Sequence, residues 1–389
     1  HHLHRSNGMM LNQISKLQLE SIRLWYLVQH SLSSYQQLID YFGSAEQAVT
    51  PANLQRWSSL GIHKNHIQRA QQFYSAAEQQ HFQKILDCLT QHCDFICLAN
   101  EPDYPAQLLP YSDRPPILFG QGQSFNLSQP QIAIVGSRKA SQHGLQLSYD
   151  FAYYLADKGF FVTSGLAQGI DQAAHHAGLK HQRTIAVMAT GIEQTYPSQH
   201  LQLRQQIVEH GGCVITEFLP FTKPLQHNFP RRNRIVSGLS LGVLVAEAAL
   251  ESGSLITAKL AADQGKLIFA IPGHIYSEQH RGCHQLIREG ATLVDHPEQI
   301  IEDLALPTQW QIQQQDHSTQ TKADIPTHLQ HLYQQLDWVG QDLDHLAEKT
   351  NLAVDVLLAQ LMELELLGLC LQQAGRYSRC RAATAPCFS

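Results

Sequence analysis

A run of arginines beside an aromatic residue is the part of this sequence best suited to chemistry. Residues 228–234 are Asn-Phe-Pro-Arg-Arg-Asn-Arg, with cations at Arg231, Arg232 and Arg234. Guanidinium groups bind phosphates, and a ring such as Phe229 can stack on an unpaired base, so the run favours single-stranded nucleic acid as a ligand. Two simpler interpretations stay open: the arginines lie on a solvated face, and Phe229 anchors the core.

Small and hydroxyl residues follow several apolar runs of the middle segment. Glycine lets backbone amides approach an oxyanion, and a serine hydroxyl adds a donor. Other such segments stand before helical patterns, where the first amides of a helix favour phosphate. Each segment alone also suits an ordinary tight turn, but several at one sheet edge predict a site for a phosphate-bearing ligand. The segments are Gly136-Ser137-Arg138, Ser164-Gly165, Thr190-Gly191 and Pro272-Gly273 after strands, and Gly169-Ile170-Asp171 and Ser252-Gly253-Ser254 before helices.

Three carboxylates, Asp171, Glu217 and Glu247, lie near the same strand ends. Two of them could act as general acid and base, as in a hydrolase of the glycosidic bond of a nucleotide. The simpler interpretation is that they cap helices or orient the arginines. The sequence contains no G-x-G-x-x-G with a downstream acid and no G-x-x-x-x-G-K-[ST], so it supports neither a dinucleotide cofactor nor a P-loop ATPase.

The eight cysteines show neither a metal-binding nor a disulfide pattern. None forms a C-x-x-C pair, so no zinc site is predicted. The N-terminus has no basic segment followed by an apolar stretch, so no secretory signal is expected and the thiols are expected to be reduced. Cys283-His284 could be a nucleophile and base, but adjacent residues on a helix point apart.

Apolar runs alternate with helical patterns through the middle of the chain. This alternation is typical of a parallel sheet with crossover helices, so we predict an α/β, Rossmann-like, doubly wound fold. In such a sheet ligands bind beyond the carboxyl ends of the strands, where the glycines and hydroxyl residues concentrate. The runs are 132–135, 160–163, 184–189, 213–216, 243–246, 267–271 and, more weakly, 291–294.

Pattern and composition divide the chain into segments. The core should be the Rossmann-like domain, and the C-terminal pattern of three helices and a short hairpin is that of a winged helix. The N-terminal helical domain, of SAM or helix-hairpin-helix type, has few basic residues and is expected to brace its neighbour. The boundaries are 1–8 (a remnant of cloning), 9–100 (helical to about residue 97), 101–304 (Rossmann-like), 305–324 (polar linker) and 325–382 (winged helix).

Charge restricts where a polyanion can bind. The chain carries a net charge of −6, but residues 131–300 hold 14 Lys and Arg against 13 Asp and Glu, so a polyanion site belongs in the middle segment. The predicted recognition helix of the winged module, about 354–367, has three acids and no Lys or Arg. Docking that helix beside phosphates would be repulsive, so protein contacts or internal packing are expected there. No run of about 18 apolar residues occurs, so no membrane span is predicted.

Several segments, in this order, resemble the DprA/Smf family of DNA-processing proteins. The resemblance spans roughly residues 101–304, and the flanking modules fit it more loosely. One departure is Lys139-Ala140-Ser141-Gln142-His143-Gly144, where the family often carries proline and tyrosine near the glycine, so the rim of the site there can differ. The segments are 135–138 (VGSR), 164–171 (SGLAQGID), 195–197 (TYP), 217–218 (EF), 229–239 (FPRRNRIVSGL), 252–258 (SGSLITA) and 270–273 (AIPG).

The resemblance implies a bacterial cytoplasmic homodimer that binds incoming single-stranded DNA during natural transformation. Such a protein would shield the strand and help to load the RecA recombinase onto it, without catalytic turnover. No metal, cofactor or catalytic residue is expected. The implied DNA site comprises Gly136, Ser137, Arg138, Lys139, Ser164, Gly165, Gly169, Phe229, Arg231, Arg232, Asn233, Arg234, Gly253 and Ser254.

Two alternatives from other classes remain. A Rossmann-type nucleotide-processing enzyme, such as a nucleoside-monophosphate glycosidase, would require a segment like P-G-G-x-G-T-x-x-E, which the sequence lacks. A regulator of duplex DNA would read bases through the winged helix, and the acidic recognition helix argues against it.

Overall fold

The N-terminal part is a bundle of six helices that packs directly on the central sheet. The computed structural model describes residues 13–305, 325–337 and 340–379, so the predicted cloning remnant and all of the predicted linker but its first residue lie outside the described residues. Serine side chains cap helices of the bundle, as Ser15 does by accepting from the Gln18 amide. The helices are α1 (Lys16–Leu27), α2 (Leu32–Phe42), α3 (Ala45–Ala48), α4 (Pro51–Leu54), α5 (Lys64–Gln72) and α6 (Ala76–His92).

A nine-stranded sheet forms the centre of the molecule, with strand order β1-β2-β6-β5-β4-β3-β7-β8-β9. The strands from β3 to β9 are parallel, whereas β2 is antiparallel to both β1 and β6. The strands are β1 (Phe95–Leu98), β2 (Ile117–Gly122), β3 (Gln131–Val135), β4 (Phe161–Ser164), β5 (Thr184–Val187), β6 (Cys213–Thr216), β7 (Gly242–Val245), β8 (Leu267–Ala270) and β9 (Thr292–Leu293).

Helices cover both faces of this sheet, as a doubly wound fold requires. Alternate residues of β3 enter different cores: Ile132 and Ile134 pack with the helices of one face, and Ala133 and Val135 with those of the other. The order of connection reverses between β3 and β7, which makes that place the switch point of the sheet. The helices are α7 (Gln142–Asp157), α8 (Ile170–Leu179), α9 (Leu201–Glu209), α10 (Asn228–Leu239), α11 (Ser254–Asp263), α12 (Arg281–Arg288) and α13 (298–305).

The first two strands of the sheet depart from the sequence analysis. The pattern predicts helix to about residue 97, but α6 ends at His92 and β1 begins at Phe95. That part of the helical prediction is wrong, because a run of four apolar residues after a helix suits a buried strand equally well. The sheet therefore starts before residue 101. The next strand, β2, was not predicted from the sequence.

The C-terminal module is a winged helix, as predicted. Its core is formed by leucines of three helices together with Cys370 and Tyr377 of the hairpin. Its small sheet has the order β10-β12-β11. The elements are α14 (Gln330–Gln335), β10 (Gln341–Asp342), α15 (Leu343–Thr350), α16 (Val354–Leu366), β11 (Cys370–Gln373) and β12 (Arg376–Arg379).

Among the helices of the described ranges, none is both long and apolar enough to cross a bilayer.

Candidate nucleic-acid interface

A cavity of about 120 Å³ opens at the carboxyl ends of β4 and β5, beside the switch point of the sheet. Four residues of the predicted DNA site line it: Arg138, Gly165, Phe229 and Arg232. The remaining lining residues are Ala167, Gln168, Ala189, Thr190, Tyr196 and Pro197. The edge of the sheet predicted from the glycine and hydroxyl segments is thus the edge that holds the cavity.

Two cations lie close to the Phe229 ring. The guanidinium carbon of Arg138 is 4.9 Å from the ring centroid, and that of Arg232 is 5.6 Å away. A second aromatic ring, Tyr196, lies 5.7 Å from Phe229 between centroids. Arg138 is exposed and Phe229 half-buried, so both are accessible to a ligand. Two cations and two rings in one cavity match what a single strand presents, which is phosphates next to unpaired bases.

Arg232 is buried and joins the ends of two strands. Its Nη1 donates to the carbonyl oxygens of Gly165, at 2.6 Å, and Val187, at 3.0 Å. Its Nε donates to Oδ1 of Asn233 at 2.8 Å, which places Asn233 as a support for Arg232. Burial lowers the pKa of Arg232 to about 10, so the guanidinium remains charged at neutral pH. The cavity therefore keeps a fixed positive charge at its base.

Asp171, on the first turn of α8, shapes the loop that follows β4. Its Oδ2 accepts from the amides of Gly165, at 3.0 Å, and Ala167, at 3.4 Å. Burial raises the pKa of the Asp171 carboxyl, and the nearby Arg232 guanidinium partly offsets that effect. The carboxylate is therefore engaged with the loop that forms the cavity wall.

Leu166, in the same loop, has a left-handed backbone with φ 60°. Leucine rarely adopts this conformation, so the surrounding structure must hold it there. Two buried histidines do so: Nε2 of His175 accepts from the Leu166 amide at 3.2 Å, and Nδ1 of His200 lies 2.7 Å from the Leu166 carbonyl oxygen. Burial lowers the pKa of His175 to about 3, so its ring is neutral and able to accept.

Replacing Gly165 by alanine should damage the cavity more than the fold. A Cβ there would lie 2.6 Å from the guanidinium carbon of Arg232, so the side chain would have to leave its place. We expect loss of one or two hydrogen bonds, about 1–3 kcal/mol in the free energy of unfolding, and at least about tenfold weaker binding of single-stranded DNA. Chemical denaturation and a fluorescence-anisotropy titration measure the two effects. Wild-type affinity for single-stranded DNA in the folded variant would contradict a role of Arg232 in binding.

The loop after β3 presents Arg138, and several predicted residues act on that loop rather than line the cavity. The amide of Ser137 donates to the Glu247 carbonyl oxygen at 2.8 Å. Gly169 has φ 80°, and a Cβ there would come within 2.3 Å of the Ser137 carbonyl oxygen. Only glycine allows α8 to begin so close to this loop. Gly136 is packed in the same way, since a Cβ would meet the Glu247 carbonyl oxygen at 2.6 Å.

Four other predicted positions also lie off the cavity. Ser164 is fully buried and donates from Oγ to the Ile134 carbonyl oxygen at 2.6 Å. Lys139 is exposed beside Arg138 but is not among the cavity-lining residues. Gly253 and Ser254 begin α11, after β7, and the Ser254 hydroxyl contacts that of Ser252 at 2.6 Å.

Arg231 and Arg234 are turned away from the cavity, which corrects their expected place in the DNA site. Both Nη atoms of Arg234 donate to the Glu217 carboxylate, at 2.7 and 2.6 Å. Arg231 donates to the same carboxylate at 3.3 Å and to the His30 carbonyl oxygen at 2.6 Å. These two arginines tie α10 to the strand end after β6 and to the N-terminal bundle, where Nε1 of Trp25 donates to the Glu217 carbonyl oxygen at 2.9 Å.

Glu217 is the charged centre of this contact and is fully buried. Burial by itself would raise the pKa of the Glu217 carboxyl, but the attraction and hydrogen bonds of Arg234 outweigh it and lower the pKa. The same ion pair raises the pKa of Arg234 against the effect of burial. Glu217 and its arginines are therefore a structural ion cluster.

Glu247, the third carboxylate, holds Ser141, which is the N-cap residue of α7. It accepts from the amide of Ser141 at 2.8 Å and from the Ser141 hydroxyl at 2.6 Å. Each of the three carboxylates that could supply an acid–base pair thus has partners within the fold, as the simpler interpretation predicts. Within the ranges the structure describes, no group of three His, Cys, Asp or Glu side chains is arranged to hold a metal.

The sequence also contains a G-x-S-x-G spacing at Gly238, Ser240 and Gly242. In serine hydrolases this spacing forms a strand–turn–helix elbow with an exposed hydroxyl. Here the serine lies between α10 and β7, which is the reverse order, and it is buried. Its hydroxyl donates to the Val236 carbonyl oxygen at 2.8 Å, so the spacing has a structural role.

Tyr196 and Gln168 are cavity residues that the sequence analysis did not place in the site, whereas Thr190 belongs to a segment that it placed at this edge of the sheet. Tyr196 belongs to the Thr-Tyr-Pro segment, and Thr190 follows the run at 184–189. Thr190 lies just beyond the end of β5 at Val187, which agrees with the rule that ligands bind beyond the carboxyl ends of parallel strands.

Comparison with known proteins agrees with this architecture. The family model described as DNA recombination-mediator protein A matches residues 95–305. The chain belongs to the DprA/Smf family. A second model, the DprA winged helix domain, matches residues 317–376. The family and the fold class predicted from the sequence are therefore confirmed.

Individual members of the family are similar over most of the chain. Protein Smf of Escherichia coli K12 is 39% identical over 320 residues, which cover 82% of this chain and 85% of that protein. The DNA processing protein DprA of Streptococcus pneumoniae is 42% identical over 199 residues, which cover 51% of this chain and 70% of that protein. An X-ray structure of the Streptococcus pneumoniae protein superposes with a TM-score of 0.63 at 32% identity, covering 73% of this chain and 96% of that one.

Proposed function

We propose that this member of the DprA/Smf family binds single-stranded DNA at the cavity, without preference for sequence. The observation that carries the proposal is the half-buried Phe229 ring close to two guanidinium groups, those of Arg138 at 4.9 Å and Arg232 at 5.6 Å from its centroid. Every base has a face that can stack on the ring, and every nucleotide has a phosphate that a cation can hold. Such a site distinguishes unpaired from paired bases and does not distinguish one base from another.

The winged helix does not offer an equivalent surface for duplex DNA. Its α16 carries Asp355, Glu363 and Glu365 and no cation. Reading the major groove needs donors to the base edges together with positive charge toward the phosphates, and α16 supplies Gln360 as a donor but no positive charge. This favours the strand-binding role over the role of a duplex regulator.

We further propose that the bound strand is incoming DNA during natural transformation, which the protein shields and passes to the RecA recombinase as a cytoplasmic homodimer. The description of the matching family model as a recombination mediator supports this role. Asp171, Glu217 and Glu247 each accept hydrogen bonds from other groups of the fold, which supports a binding protein without catalytic turnover. A direct test is the rate at which RecA coats a strand with and without this protein.

The first experiment compares labelled homopolymer single strands with matched duplex by fluorescence anisotropy. Phe229→Ala should weaken single-strand binding by about 1–3 kcal/mol, or about 5- to 150-fold, because a stacked base loses its platform. Phe125→Ala, at an exposed ring in another part of the chain, is the matched control and should bind as wild type. Equal affinity for duplex and single strands, or an unchanged Phe229→Ala affinity, would contradict the proposal.

A further inference from the structure

Helix α16 exposes a row of apolar side chains along its length. Val354, Leu358, Met362 and Leu366 follow one another at intervals of four residues and are 48%, 40%, 63% and 83% exposed. Residues at this spacing lie on one face of a helix. Leu357, Leu361 and Leu364 of the same helix are buried in the winged-helix core. Large apolar side chains collected in this way mark an interaction surface, whereas single exposed ones do not. We call these four residues the outer ridge.

The charge around the outer ridge restricts what can cover it. Asp355, Glu363 and Glu365 are its neighbours on α16, which has no Lys or Arg, and Glu363 also contacts His328 at 2.7 Å. Residues 325–379 contain three Lys and Arg against seven Asp and Glu. Nucleic acid and anionic lipid would both be repelled. A second copy of the ridge would also bring like charges together, so the complementary surface is apolar and positive.

The winged-helix module is attached at the end of the sheet opposite the DNA cavity. Arg376 is buried, with its guanidinium carbon 4.0 Å from the Phe160 ring centroid, and it donates to the Lys158 carbonyl oxygen. Phe160 stands at the amino end of β4, whereas Gly165, at the carboxyl end, lines the cavity. A partner on the winged helix therefore leaves the cavity open to DNA.

We propose that the outer ridge of α16 docks a cationic amphipathic helix of another protein. The apolar face of that helix packs against the leucines and Met362, and its flanking Lys or Arg side chains pair with Asp355 and Glu365. Helix-on-helix docking of this kind is an established mode of peptide recognition. The proposal assigns to the winged helix a role in protein recruitment and is independent of single-strand binding.

The test uses the full chain and two labelled model peptides with the same leucine periodicity. One peptide carries lysine at its polar positions and the other carries glutamate. We expect the lysine peptide to bind, and Leu366→Glu to weaken that binding at least about tenfold, which corresponds to about 1.4 kcal/mol. This variant adds a negative charge, so simple attraction of a cation would become stronger. Leu17→Glu, at an exposed leucine of α1, adds the same charge elsewhere and should not weaken binding.

Each other outcome overturns the proposal. If Leu366→Glu bound the lysine peptide more tightly than wild type, charge attraction alone would explain the binding. If the glutamate peptide bound as well as the lysine peptide, the acidic residues around the outer ridge would not select the partner. Self-association that Leu366→Glu abolishes, measured by sedimentation without peptide, would make a second copy the occupant. Circular dichroism of the variant controls for folding, and the position of Leu366 on the surface makes a folded variant the expected result.

Discussion

Glu217→Ala is expected to lower the free energy of unfolding by about 3–5 kcal/mol, a large part of the stability of a typical domain. The reason is the partner that remains. Arg234 is buried, and both of its Nη atoms donate to the carboxylate that the substitution removes. Without Glu217, the Arg234 guanidinium still bears the cost of being removed from water, but it no longer has the attraction and hydrogen bonds of the carboxylate that offset this cost. Thermal and chemical denaturation of the full chain measure the effect.

A second variant distinguishes the effect of an unpaired buried charge from the effect of lost side-chain volume. Glu217→Leu combined with Arg234→Leu removes both charges and keeps apolar volume, so it should recover much of the stability that Glu217→Ala removes. If the double variant is as unstable as the single one, unpaired charge is not the cause. Arg231 would remain in the double variant, but its side chain is partly exposed and can turn to solvent.

The same cluster predicts how stability changes with pH. The pKa of Glu217 is lowered in the folded protein, since the bonds from Arg234 outweigh the effect of burial. The unfolded chain therefore binds the proton more readily, and this contribution is full at neutral pH and disappears as the pH falls below about 4.3 through the lower folded pKa. Glu217→Gln should lack that part of the acid-dependent destabilisation. Unfolding curves of wild type and variant between neutral and acidic pH test the difference.

The phase of one helix explains why only part of the arginine run lines the cavity. The sequence predicts that the run leads into a helix, but α10 already begins at Asn228. Residues three apart lie on one face, so Phe229 and Arg232 share a side that lines the cavity, while Arg231 and Arg234 share another that meets Glu217. Residue type alone cannot separate these pairs. The position of the helix start separates them, and Pro230 in the first turn was the available signal.

Local sequence patterns predicted the parallel strands and the edge of the sheet that holds the cavity. The other features depend on contacts between residues that are far apart in the sequence. The parallel strands follow from apolar runs between helical patterns, and the cavity edge follows from the glycines at their carboxyl ends. The antiparallel strands β1 and β2 were missed because they join the sheet beyond the alternating segment. Contacts such as Trp25 with the Glu217 carbonyl oxygen link residues 192 positions apart, and no local pattern reveals them.

Arg138→Ala is expected to weaken single-strand binding by about 10- to 150-fold, because it removes a charge-assisted bond of about 1.5–3 kcal/mol. Arg138 is exposed beside the Phe229 ring, whereas Arg232 is fixed by two carbonyl oxygens, so Arg138 is the cation best able to follow a phosphate. The effect should be the same for every homopolymer. The slope of log affinity against log salt should become shallower by about 0.7 for each phosphate that the variant no longer neutralises.

Two comparisons make this prediction specific. Lys180→Ala removes an exposed cation at the far end of α8 and should change neither the affinity nor the salt slope by a comparable amount. The stability of Arg138→Ala should remain that of wild type, because the side chain is exposed and has no ion pair within the described residues, in contrast to Glu217→Ala. An unchanged salt slope would remove Arg138 from the phosphate site. A shallower salt slope with wild-type stability in Arg138→Ala would show that Arg138 acts in DNA binding, whereas Arg231 and Arg234 act in the fold.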